Sequence, residues 1–170
     1  MKKTIVLLVA VILCGGLGYM VSHIIRAKKQ AGIDNEKKQQ LPDFTFFDLN
    51  GIKKGNNFIK PGASVVIIYF NSDCEHCQQE ATQLNANISL FKDTQIVMVS
   101  FNKAEEIKKF SKTYGLDKYD QITFMMDKEY KFTHWFGSCS IPAVFVYNAN
   151  HHLVKEFYGE VKIEAIKKLI

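Results

Sequence analysis

The chain has 170 residues, 47% of them hydrophobic and 23% charged, with a formal net charge of +5 at pH 7. That length suits one domain of ordinary size plus an appendage, and the composition excludes a disordered chain. The lysines are scattered, so the positive balance describes a solvated basic surface and excludes a nucleic-acid-binding stripe. Four cysteines, Cys14, Cys74, Cys77 and Cys139, are too few for a disulfide scaffold.

In chain order, the first element is an uncharged stretch of 22 residues from Thr4 to Ile25, preceded by Lys2-Lys3 and followed by Arg26, Lys28 and Lys29. A membrane-spanning helix needs about 20 apolar residues, so residues 1–25 are expected to form a transmembrane signal-anchor. A cleaved signal peptide would end at a small-x-small site, for which Gly16-Leu17-Gly18 is a poor candidate. Leu13 is too large for lipoprotein processing at Cys14. Residues 26–40 are polar without an apolar period and read as a solvated linker, leaving 41–170 as the globular domain, expected on the extracytoplasmic side of the cell membrane.

Within the domain, Phe44, Phe46 and Leu49 alternate near period two and lead into Asn50-Gly51, a strand and a turn. Pro61-Gly62 marks another turn. The β-branched and aromatic run Ser64–Asn71 predicts a buried central strand. Ala81, Leu84, Ile88 and Phe91 then recur at helical spacing over Glu75–Phe91. Gln95–Phe101 reads as a strand, and Lys103–Tyr114 as a helix capped by Asn102 and ended by Gly115. A strand at Ile122–Met126, a short helix at Lys128–Phe136, two strands at Ala143–Tyr147 and Leu153–Tyr158 joined as a hairpin, and a terminal helix from Glu160 complete the pattern. Strands alternating with helices imply an α/β layered fold with a mixed sheet flanked by helices.

The chemistry concentrates at Cys74-Glu75-His76-Cys77, where the buried strand gives way to a helix. Cysteines three residues apart in a helix share one face, close enough for a disulfide to form and break without refolding. The helix N-terminus favours an anion, so Cys74 is the expected nucleophile and Cys77 the resolving thiol. Asp73, Glu75 and His76 modulate the thiols in opposing directions, the carboxylates disfavouring a thiolate and the imidazole favouring it. Strand-to-helix placement and the lack of a second cysteine pair argue against structural zinc, and no metal is expected. Ile141-Pro142, directly before a strand, suits a tight turn that can be cis.

Phe44–Gly51, Tyr69–Cys77 and Ile141-Pro142-Ala143, in that order, resemble the TlpA/ResA-like branch of the thioredoxin superfamily over roughly Leu41 to Ile170. The resemblance implies a thioredoxin-like fold with an N-terminal strand or hairpin and an extra αβ insertion, for which Lys103–Met126 is the natural candidate. It also implies that Ile141 and a cis Pro142 face the cysteine pair and help hold an extended substrate segment. A glutamate three residues after the second cysteine tunes the thiols and handles protons in that family, and Glu80 occupies the position, one helical turn from Cys77. The buried aspartate of plain thioredoxins is replaced by Ile68. The tryptophan usual before the motif is replaced by Asp73.

The activity implied is thiol–disulfide exchange with no cofactor beyond the Cys74–Cys77 pair. The protein would reduce disulfides of client proteins, with electrons from a membrane thiol transporter of the CcdA or DsbD kind, in cytochrome c maturation or disulfide homeostasis. Cys139, three residues before Pro142, is a candidate accessory thiol. Two other readings compete. A peroxiredoxin-like peroxidase shares the outline of Phe70–Cys74, but Asn71 stands where a threonine or serine is expected. A copper-binding metallochaperone module could use the two thiolates and a histidine, but no methionine-rich or fixed histidine set accompanies them. His134, His151 and His152 have no ligand spacing, and Trp135 reads as packing.

Overall fold

The computed structural model describes residues 2–170, with the side chains of 2–14, 30, 31 and 33–35 outside the description. Five helices are present among the described residues, α1 (Lys2–Gln39), α2 (Glu75–Ala86), α3 (Ala104–Thr113), α4 (Phe132–Phe136) and α5 (Ile163–Lys167). Seven strands accompany them, β1 (Thr45–Phe47), β2 (Lys53–Gly55), β3 (Ser64–Phe70), β4 (Thr94–Ser100), β5 (Ile122–Met126), β6 (Ala143–Tyr147) and β7 (Leu153–Tyr158). They form one mixed sheet in the order β2-β1-β5-β4-β3-β6-β7. The strands β3, β4 and β5 run parallel, and β6, β7, β1 and β2 complete the two sides through antiparallel pairs.

The centre of the sheet follows from the sequence of β3. Its residues alternate between two apolar layers, and both are buried, so a continuous apolar run is required and polar alternation is not. Val66, Ile68 and Phe70 face the layer that holds Cys77, Ala81 and Leu84 of α2, Ile107 and Phe110 of α3, and Ile163 and Ile166 of α5. Val65, Ile67 and Tyr69 face the opposite layer with Phe44, Phe46, Phe132, Phe136 and Phe145. In the second layer the Tyr69 and Phe132 rings stack at 3.9 Å, and Phe132 and Phe136 at 4.5 Å. Each buried side chain of this size contributes about 2 kcal/mol, so the two layers account for the domain's cohesion.

The hairpin expected at the start is present: the Asp48 carboxylate accepts from the amides of Asn50 and Ile52, and Gly51 takes φ +81, which a side chain would resist. The candidate insertion holds α3 and β5, the latter extending the parallel part of the sheet beyond β4. Helix boundaries differ from expectation at four places, one of them the terminal helix expected from Glu160, which spans only Ile163–Lys167. Residues after Ala86 tighten into a 3-10 turn at Ile88–Phe91. The cap of α3 is Lys103, whose amide is accepted by Glu106 at 3.0 Å, while Asn102 is drawn toward the cysteine loop instead. The helix expected from Lys128 begins only at Phe132, because Asp127 and Tyr130, the latter at φ 54, form a tight turn ahead of it.

The largest revision concerns residues 26–40. The segment is helical up to Gln39, and its end is docked on the domain. Lys38 is buried, pairs with Glu156 of β7, and donates to the Tyr158 hydroxyl at 3.3 Å, while its carbonyl accepts from Tyr147 at 3.2 Å. Gln40 and Leu41 then bridge to the β6–β7 turn at His152 and His151. A polar sequence without an apolar period hid this contact, because the ammonium and the carbonyl of one lysine make it. The expected membrane-spanning stretch lies in α1, and the side chains of residues 4–14, Cys14 included, lie outside the described residues. Among the described residues no helix is long and apolar enough to cross a membrane.

Candidate active site

The cysteine pair sits where β3 delivers the chain to α2. Cys74 is the N-cap of α2, with extended backbone at φ −84 and ψ 120, and Cys77 lies one turn inside. The loop between is pinned from several sides. Asn71 accepts the Asp73 amide on its side chain at 2.9 Å and the Cys74 amide on its carbonyl at 3.2 Å. The Gln78 amide group donates to the Ser72 carbonyl at 2.9 Å, and the Ser72 amide donates to Asn102 at 3.0 Å. Asn102 is itself held by Ser100 at 2.7 Å, so the end of β4 fixes the cysteine loop. A nucleophile on a loop restrained in this way needs little reorganisation before attack.

Both cysteines are free thiols, close enough to hydrogen-bond to each other. Their surroundings differ. Cys74 is half-buried at the helix N-terminus, whereas Cys77 is 1% exposed. Burial pushes the Cys77 thiol well above its usual range; a hydrogen bond from the Asn71 backbone opposes this, and the Cys74 and Glu80 neighbours add to it. Cys77 therefore stays a thiol until a base takes its proton, and Cys74 is the thiol a partner can reach. With this asymmetry Cys74 can attack an outside disulfide and Cys77 can follow from within.

Glu80 lies on the same helix and is 2% exposed. Its Oε1 has no hydrogen-bond partner, and burial, with repulsion from Glu160, pushes its carboxyl up to about 8. A carboxyl that exchanges its proton near neutral pH, one turn from a buried thiol, is suited to move that thiol's proton. Asp73, Glu75 and His76 are all exposed. His76 meets Glu160 in the loop after β7, Nδ1 to Oε2 at 2.9 Å.

The Ile141–Pro142 peptide is cis, and Pro142 is buried. Register brings it to the pair's end of the sheet, since Ala143 lies opposite Tyr69, five residues before Cys74. Ile141 and Cys74 both pack on the apolar cluster that contains Cys77. The Pro142 carbonyl accepts the Gly159 amide at 2.8 Å, which ties the turn to the end of β7. Cys139 packs on the other layer, where burial pushes its thiol up to about 11 against the opposing charge of Lys38. Beside the pair, a groove of about 350 Å³ opens between the start of α2 and the length of α3, with Ser72, Asp73, Gln78, Glu106, Phe110 and Tyr114 among its lining.

The part that two residues play at this site is not legible in the sequence. Glu160 has no motif or spacing to announce it, since it reaches His76 only through the fold. Asn102 was read as a helix cap because of its place before α3, and a side chain in that place serves equally well to hold a neighbouring loop.

The AhpC/TSA family model matches residues 38–156, most of the domain just described. The chain belongs to the AhpC/TSA family. Its fold is similar to those of a secreted disulfide oxidoreductase of Mycobacterium tuberculosis homologous to E. coli DsbE (17% identity, TM-score 0.62, covering 79% of this chain and 96% of that one) and a putative thiol:disulfide interchange protein DsbE of Chlorobium tepidum (20%, 0.64, 78% and 93%). A peroxiredoxin-like protein of Aquifex aeolicus is similar to the same degree (15%, 0.62, 78% and 86%). Comparison of the sequence with curated proteins finds no match. At these identities the likeness concerns the fold, which is the thioredoxin-like α/β architecture with a mixed sheet. The family match begins at Lys38, the residue at which α1 docks on the domain.

Proposed function

We propose that this AhpC/TSA-family protein is a thiol–disulfide oxidoreductase that reduces disulfides of client proteins. The observation that carries the reading is the contact between an accessible thiol, Cys74, and a buried one, Cys77, on a restrained loop at a helix N-terminus. In the forward direction Cys74 attacks a client disulfide, forming a Cys74–client mixed disulfide and releasing one client thiol. Cys77 then attacks Cys74; the Cys74–Cys77 bond forms and the second client sulfur leaves, so two electrons pass to the client. Glu80 takes the proton Cys77 must lose, and Pro142 lies where an extended client segment would pass the pair.

We further infer that residues 4–25 anchor the chain in the cell membrane, with the domain on the extracytoplasmic side. The uncharged 22-residue stretch between basic flanks supports this. There the oxidised pair would be recharged by a membrane thiol donor of the CcdA or DsbD type, in cytochrome c maturation or disulfide homeostasis. The peroxidase reading has the shared family and one similar fold in its favour, but the position three residues before Cys74 is Asn71, and the chain's single arginine, Arg26, lies in α1.

A Cys77→Ser variant should accumulate mixed disulfides with clients and lose turnover in insulin reduction, and Cys74→Ser should lose both. Failure of Cys77→Ser to trap any client, together with no insulin reduction by the unaltered protein, would overturn the proposal. Peroxide consumption exceeding disulfide reduction would favour the peroxidase.

A further inference from the structure

The geometry points to Glu160 as a positioning residue of the redox pair, one that couples the charge on His76 to the proton carried by Glu80. The inference rests on the proposed dithiol chemistry and adds a control to it. His76 and Glu80 stand at positions i and i+4 of α2, so they share a face of the helix, one at its first turn and the other a turn further in. Glu160 comes from the loop between β7 and α5 and meets His76 on that face, with Oε2 at 2.9 Å from Nδ1. Glu80, one turn further on, is almost fully buried, and its Oε1 has no hydrogen-bond partner.

The groups around Glu80 make this coupling legible. From its own helix come Cys77, His76 and, more exposed, Cys74. From the segment leading into α5 comes Glu160, the charged group outside α2 that repels the Glu80 carboxylate. The layer into which α2 packs with Cys77, Ala81 and Leu84 is apolar: Ile68 and Phe70 of β3, Val144 of β6, and Val161, Ile163 and Ile166 at α5. Lys162, Glu164, Lys167 and Lys168 are exposed to solvent. In so apolar a setting a single carboxylate matters, and whether its charge is balanced depends on His76.

The consequence follows from signs. With His76 protonated, the imidazolium cancels much of the Glu160 charge, Glu80 ionises more readily, and it can accept the proton that Cys77 gives up as it attacks the mixed disulfide. With His76 neutral, the Glu160 charge stands unbalanced and keeps the proton on Glu80, so the resolving step slows. The His76–Glu160 pair is itself largely exposed and adds little to stability; its effect is on proton placement. The residue between the two cysteines would thus act on the resolving thiol by way of a residue some 80 positions later.

The test is a carboxyl-carbon NMR titration of Glu80 in the reduced protein, with the resonance assigned by its loss in Glu80→Gln. Glu160→Gln should lower the Glu80 midpoint by on the order of half a pH unit, the size of a partly screened charge. His76→Asn, which keeps a hydrogen-bonding nitrogen but not the titratable charge, should raise it. The double variant should match Glu160→Gln alone, since without Glu160 nothing holds the exposed imidazole on this face of α2. An unmoved midpoint in Glu160→Gln, or a His76→Asn shift that persists in the double variant, overturns the inference. The titration needs no client, so it stands or falls separately from disulfide reduction. With clients present, the pH profile of mixed-disulfide resolution should move with the Glu80 midpoint.

Discussion

Glu80 ties the chemistry to stability with a definite sign. Its carboxyl is raised by burial to about 8 from an ordinary 4.5, so between those values the folded chain holds a proton that the unfolded chain has lost. Stability from this group is fully present below about 4.5 and falls as pH rises through about 8, as the buried carboxyl is forced to ionise. Glu80→Gln should flatten that decline, and paired denaturant titrations at pH 5 and pH 9 measure it; an unchanged difference between the two pH values would show the group to be solvated. The same substitution should slow resolution of the mixed disulfide about tenfold to a hundredfold near neutral pH, because general base catalysis is removed. Stopped-flow measurement of client thiol release reads this. The cysteine spacing and the helical position of Glu80 were legible in the sequence, since both are local. The burial that perturbs Glu80 and Cys77 was not, because it comes from β3, β6 and α5 closing over α2.

Among the elements, the short α4 and the end of α1 depend most on single side chains. Asp127 is 1% exposed and accepts from the amides of Lys131 at 2.7 Å and Phe132 at 3.0 Å, and from the Tyr69 hydroxyl at 3.2 Å. It caps the turn into α4 and holds the Tyr69–Phe132 stack in place. Asp127→Ala leaves these donors without a buried acceptor and should cost about 3 kcal/mol, read from the midpoint of urea unfolding at constant slope. Lys38 is the corresponding point for α1. Lys38→Met keeps an unbranched apolar side chain but removes the ammonium that lies over Phe145 and leaves Glu156 without its partner, and because Glu156 is partly solvated the loss should be about 1–2 kcal/mol. The strand pattern was readable because apolar runs report burial directly. The docking of α1 was not, because its polar end carries no period that marks Lys38 as buried.

For the molecule as a whole, these contacts predict where the chain can be shortened. A chain begun at Glu36 retains Lys38 and its bridge to the β6–β7 turn and should unfold as the full domain does, whereas one begun at Pro42 loses Lys38, Gln40 and Leu41 and should unfold at a lower temperature by several degrees. Membrane fractionation of the same pair against the full chain tests the anchor: the full chain should sediment with membranes and the chain begun at Glu36 should remain in solution. The sequence by itself determined the α/β order of elements, the buried central strand, the redox-pair spacing and the turn at Pro142, because each rests on neighbours within a few residues. The tertiary structure alone decided which thiol is sealed from solvent, that Asn102 braces the cysteine loop, that Lys38 locks α1 to β7, and that Glu160 meets His76. Those contacts join segments dozens of residues apart, and no local pattern in a chain encodes which distant charge will come to rest beside a buried one.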